Sequence, residues 1–178
     1  MQTRSAVRSF FPVWCGICTL SRGPQDIPGS LQAVGAALAG YLAATVALLV
    51  AQDVESARIP GLALADATLL AVCGALLLYL RGLPHRLPQT LAALYGTGAL
   101  LTLLVVPVVA WIGGAESGAS LNPLPVLLLL MLLGWQVAVI GHILRHALDM
   151  PGWAGLALAV LYTLFSWWLF MVAFPADT

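Results

Sequence analysis

His142 and His146 stand four residues apart, and on a helix they share one face with Arg145 and Asp149. Two imidazoles at that spacing can ligate one metal ion, Asp149 can add a third donor, and His85 is the remaining histidine of the chain. The same residues also read as the polar end of an emerging helix, with Arg145 and Asp149 as an i,i+4 pair. In that reading Arg145 and His146 meet anionic headgroups or a protein partner. A bis-His haem is disfavoured, because two ligands on one helix cannot occupy opposite axial positions. The residues assign no cofactor, and metal ligation stays an alternative.

Trp14-Cys15-Gly16-Ile17-Cys18 places two thiols one turn apart, the Cys-x-x-Cys arrangement that can exchange a disulfide or hold a metal. The βαβ context of a redox domain is missing, and the one other thiol is Cys73. Packing is the expected role of Cys15 and Cys18.

Asp66 and Gln136 are the third set, because polar groups inside an apolar run are costly enough to mark function. Asp66 is expected about 7 Å from the outer end of its span, at about 1.5 Å per residue, within reach of Arg58. Gln136 is expected to bond across a helix interface. No nucleophile with a base, Gly-rich phosphate loop or paired carboxylates is present, so no enzyme is expected.

The elements that must position these groups follow from composition. Of 178 residues, 61% are hydrophobic and 8% charged, where a soluble domain has about 45–50% and about 25%. Both a soluble domain and disorder are excluded. The net charge is +0, with seven Arg, seven acids and no Lys, so no basic field invites nucleic acid.

Uncharged runs at 27–52, 87–115, 117–144 and 150–176 each exceed the length of a membrane span. The reading is all-α: a polytopic bundle of five spans at 31–51, 61–80, 91–113, 125–147 and 153–174. It occupies 30–178, behind an N-terminal segment at 1–29. Pro60, Pro84, Pro88, Pro123 and Pro151 fall in the turns, and Ser30 and Thr90 are candidate N-caps.

Six arginines (Arg4, Arg8, Arg22, Arg81, Arg86, Arg145) fall on one side and Arg58 on the other, which predicts a cytoplasmic N-terminus and an external C-terminus. Arginine without lysine suggests a GC-rich genome and a bacterial inner membrane. Arg4 and Arg8 ahead of Phe10 to Leu20 resemble a secretory signal, yet Pro12 interrupts the run and no A-x-A site follows. The segment is expected to stay attached as an interfacial helix, with Val7, Phe10, Phe11, Trp14 and Cys18 on its apolar face and Pro12 starting or kinking it.

Small residues let helices approach closely in lipid. Ala33, Ala36, Gly40, Ala44 and Ala47 form such a stripe in the first span, Ala67, Ala71 and Ala75 in the second, Ala92 and Gly96 in the third, and Gly155 and Ala159 in the fifth. Gly40 is the expected centre of contact.

In layout the chain resembles the Yip family of integral membrane proteins, with a cytoplasmic N-terminal segment, five spans and a very short tail. Eukaryotic members carry an Asp-Leu-Tyr-Gly-Pro signature, at whose place stands Gly23-Pro24-Gln25-Asp26-Ile27-Pro28. For those members the resemblance implies trafficking adaptors that bind small GTPases. The expected function is association with membrane lipid, other integral membrane proteins or a second copy, as adaptor, scaffold or complex subunit. The alternative is a small transporter or permease component using Asp66 and Gln136. A third is a metal or redox protein using Cys15, Cys18 and the histidines.

Overall fold

A backbone that cannot hydrogen-bond to lipid must satisfy itself, and the helix is the way a single apolar segment does so. In the computed structural model, which describes residues 11–114 and 123–173, each charge-free run contains one long helix and no strand occurs among the described residues. A short helix α1 covers 11–18. Five long ones follow: α2 (Leu31–Ala51), α3 (Ile59–Leu80), α4 (Leu87–Gly113), α5 (Leu124–Ala147) and α6 (Gly152–Ala173). All five are long and apolar enough to cross a membrane.

The boundaries show which local signals acted. Ser30 caps α2, its hydroxyl accepting from the Ala33 N–H at 3.2 Å. Pro60 and Pro88 lie inside the first turns of α3 and α4 rather than in the preceding loops, because a first-turn residue needs no N–H partner. Thr90 is therefore not a cap: it lies within α4 and donates its hydroxyl to the Arg86 carbonyl at 2.9 Å.

α4 is the central helix. α2 runs along it, α3 packs on both, α5 packs on α4, and α6 rests on α5 while barely touching α3. Residues 19–30, 81–86 and 148–151 gather at one end, called proximal; residues 52–58 lie at the other, distal end.

Two expectations are corrected. The apolar face expected of α1 does not lie open to lipid: Trp14, Ile17 and Cys18 are buried in the same core as Ala92, Tyr95, Val139 and Ile143 of α4 and α5. The reason is Gly96, nine residues into α4, whose missing side chain leaves a slot that the Trp14 indole fills; a Cβ there would lie 2.3 Å from the ring. Val7, Phe10, Arg4 and Arg8 lie outside the described residues. In α2 the buried stripe is Ala33, Ala37, Tyr41, Ala44 and Thr45, so Ala36 is half-buried and Gly40 is exposed. The stripe runs one residue round from the expected face, because the ring of Tyr41 faces α4 and takes the neighbouring positions with it. In α3 Ala67 is buried, whereas Ala71 and Ala75 lie at the edge of the stripe Ala63, Ala67, Leu70, Gly74 and Leu78.

Candidate functional site

Tyr41 is the middle residue of α2, and its ring lies against Gly98 of α4, where a Cβ would come within 2.7 Å of it. That seat aims its hydroxyl at α3, where it donates to Oδ2 of Asp66 at 2.6 Å. Tyr95 of α4 packs beside it with ring centroids 5.3 Å apart. Its own hydroxyl donates to the Ala67 carbonyl at 2.7 Å. Asp66 thus turns inward to the middle of the bundle instead of rising toward Arg58.

Beside this pair is a cavity of about 540 Å³ to which all five spans contribute: Tyr41, Asp66, Thr97, Gln136, Tyr162 and Ser166 are among its lining. A second of about 500 Å³ shares Tyr41, Leu48, Asp66, Leu133 and Gln136 with it and extends past Thr45 to Gln52 and Arg58 at the distal end. Asp66 and Gln136 stand where the two meet. The space exists because α3 and α6 scarcely touch.

Thr97 and Thr163 donate to carbonyls of their own helices, Ala93 at 2.7 Å and Ala159 at 2.9 Å. Oδ1 of Asp66 and the carboxamide of Gln136 have no hydrogen-bond partner among the described residues. Gln136 is therefore not the interhelical bond expected of it. It lines the cavity instead.

The histidine end is built differently. His142 is buried and donates its Nε2–H to the Arg22 carbonyl at 2.8 Å, and His146 lies edge-on to it at 4.7 Å. Asp149 does not pair with Arg145. The helix ends at Ala147 with Leu148 as its C-cap, and Asp149 has φ 49°, so the i,i+4 geometry is lost. Instead Asp149 pairs with Arg86 at 2.8 Å. That guanidinium, as hydrogen-bond donor and as charge, holds the carboxyl below its usual range.

Arg86 also caps α5, donating to the carbonyls of His146 at 3.3 Å and Ala147 at 3.2 Å. Arg145 lies instead across Gly152 and Gly155 of α6, with its Nε buried and unpartnered. His85 is exposed in the turn before α4. No three His, Cys, Asp or Glu side chains converge on a metal position among the described residues.

Cys15 and Cys18 are free thiols in α1. Burial, and after it the neighbouring Cys15, pushes the Cys18 thiol up to about 11. Its carbonyl accepts the Trp135 indole N–H at 2.8 Å. This is a packed thiol, whereas a reactive one has its value lowered.

Sequence reasoning overlooked Tyr41, Tyr95 and Tyr162. The available signal was a hydroxyl at mid-span where Phe would serve packing alone, since buried tyrosine needs a partner for its O–H. No family model, no curated protein and no solved structure matches this chain.

Proposed function

We propose that the chain is a small multi-pass membrane protein, without catalysis of its own, that binds a small molecule in its bundle as a transporter or permease component. One observation carries this: Asp66 and Gln136 present unpartnered polar atoms to a cavity of about 540 Å³. Unsatisfied polar groups in an apolar interior cost several kcal/mol against hydrocarbon. Ligand sites are typically about 300–1,000 Å³, mostly apolar, with a few converging polar groups. A bundle with no ligand to accommodate would gain by closing this gap with apolar side chains.

The test is a cysteine at 136 in a chain whose Cys15, Cys18 and Cys73 are serine. A water-soluble methanethiosulfonate should modify Gln136→Cys in the folded protein and leave Leu130→Cys, on the outer face of α5, untouched. An unreactive position 136 would overturn the reading.

Association with lipid or other membrane proteins is a second reading, favoured by Arg145, whose guanidinium has no acidic partner among the described residues. It predicts salt-sensitive association through Arg145 and His146, the role the Yip resemblance would suggest. In either reading the arginine bias supports a cytoplasmic proximal end, and arginine without lysine favours a bacterial inner membrane. An alkaline phosphatase fused after Thr178 should then be active, and one fused within 81–86 inactive.

A further inference from the structure

We infer that the ligand of this cavity is an organic monocation with an apolar body; the inference rests on the binding reading above. The lining of the mid-bundle cavity contains one ionisable acid, Asp66, and no Arg or His. Tyr41 already donates to Oδ2, so Oδ1 is left as an acceptor on a residue that lines the space. An anion there would meet the carboxylate in a medium where repulsion is poorly screened. A wholly apolar ligand would leave Oδ1 of Asp66 and the Gln136 carboxamide without partners.

A cationic N–H or onium group satisfies the carboxylate, and the Gln136 carbonyl oxygen can take a second contact. The aromatic walls suit the same charge: Tyr41, Tyr162 and Trp167 line the cavity, and aromatic faces attract cations. A bare metal ion is a poor fit. Hard cations take about six or more oxygen ligands, and most of this lining is aliphatic or aromatic.

Arg58 is the opposing charge to account for. It lies eight residues before Asp66 along the chain, about 12 Å at helical rise, and lines the distal cavity rather than the mid-bundle one. It therefore stands outside the lining in which Asp66 meets the ligand.

Tetraphenylphosphonium and tetraphenylborate have nearly the same shape and opposite charge, and both partition into lipid. Binding of each to the protein in nanodiscs is measured by equilibrium dialysis, with empty nanodiscs subtracted. Saturable binding of the cation, at least tenfold tighter than the anion, is expected. Asp66→Asn keeps an oxygen for Tyr41 to donate to and should erase that preference, and Asp66→Glu should retain it. The wild-type comparison of the two ions stands even where a variant fails to fold.

Equal binding of both ions, or no protein-dependent binding of either while Gln136→Cys remains reactive, would overturn the monocation and leave the cavity reading in place. An unreactive Gln136→Cys would remove the cavity reading itself.

Discussion

Two glycines of α4, two positions apart, each seat an aromatic ring, with opposite results. Gly96 takes the Trp14 indole and Gly98 the Tyr41 ring; at about 3.6 residues per turn they face nearly opposite sides of the helix. On the Gly96 side the ring anchors an inserted segment that fills the groove. The Trp135–Cys18 and His142–Arg22 hydrogen bonds then hold that segment to α5. On the Gly98 side the ring holds a hydroxyl toward Asp66 and the space beyond stays open. In lipid, where apolar surface alone gives helices little reason to associate, close packing and hydrogen bonds must do so. The filled side supplies that cohesion, and a bundle held together there can leave its other side hollow.

The largest effect is expected where the filled side is broken. Trp14→Ala should cost about 3 kcal/mol, the lower range for emptying a core site of a large aromatic. Gly96→Leu should expel the indole altogether. Both are read by thermal unfolding in detergent and by alkylation of Cys18 at pH 8 with Cys15 and Cys73 replaced by Ser. Seated, a thiol whose value burial raises stays protonated and slow; displaced, it should react quickly. Unchanged stability and labelling would erase the contrast between the two sides.

A smaller loss tests whether α6 hangs on one contact. A Cβ on Gly155 would lie 2.5 Å from the Gly141 carbonyl oxygen, and backbone cannot move aside as a flexible side chain can. Since α6 rests chiefly on α5, Gly155→Leu should loosen that helix at a cost of about 2 kcal/mol, within the range for overpacking. The cavity bounded by Tyr162 and Trp167 should open with it, so Gln136→Cys in this background should react faster. A Gly155→Leu protein of full stability would show α6 to be held by other means.

How much of this was legible depends on what each signal measures. Four charge-free runs, and a fifth apolar run interrupted only by Asp66, located five helices to within four residues, and Ser30 was identifiable as a cap because capping is local chemistry. The fold class was therefore readable. The inserted α1 was not, because the slot that receives it is made by Gly96, some 80 residues away, and a missing side chain does not name its occupant. Asp66 and Gln136 stood out by polarity alone, but their convergence with Tyr41 depends on which helices are neighbours. Arg145 and Asp149 looked like a pair only while the helix was taken to continue past Leu148.

Acid should affect the proximal end more modestly. Asp149 is ionised more readily in the fold than in the unfolded chain because Arg86 faces it. Its contribution is therefore present above the ordinary carboxylate value of 3.8 and is lost as pH falls through the lower folded value. Because the carboxylate is exposed and salt-screened, the shift in melting temperature across that window should be small. Asp149→Asn should flatten it, and a pH profile that Asn leaves unchanged would assign the acid effect elsewhere.

The smallest effect is expected at Gly40, where the stripe of small residues alone pointed to a buried contact. A leucine at the centre of such a contact would separate two helices. Gly40 is instead exposed, and a Cβ on it would meet one atom, the Ala99 methyl, at an ordinary 3.8 Å. In a span that is apolar all round, the lipid-facing and inward faces are chemically alike, so a run of Ala and Gly marks where helices can approach and leaves open whether they do. Gly40→Leu should therefore stay within about 0.5 kcal/mol of the parent in thermal unfolding, as outward-facing substitutions usually do. A loss like that of Gly155→Leu would mean that a neighbour covers this face in the membrane, and a second copy of the chain would be the first partner to seek by cross-linking at position 40.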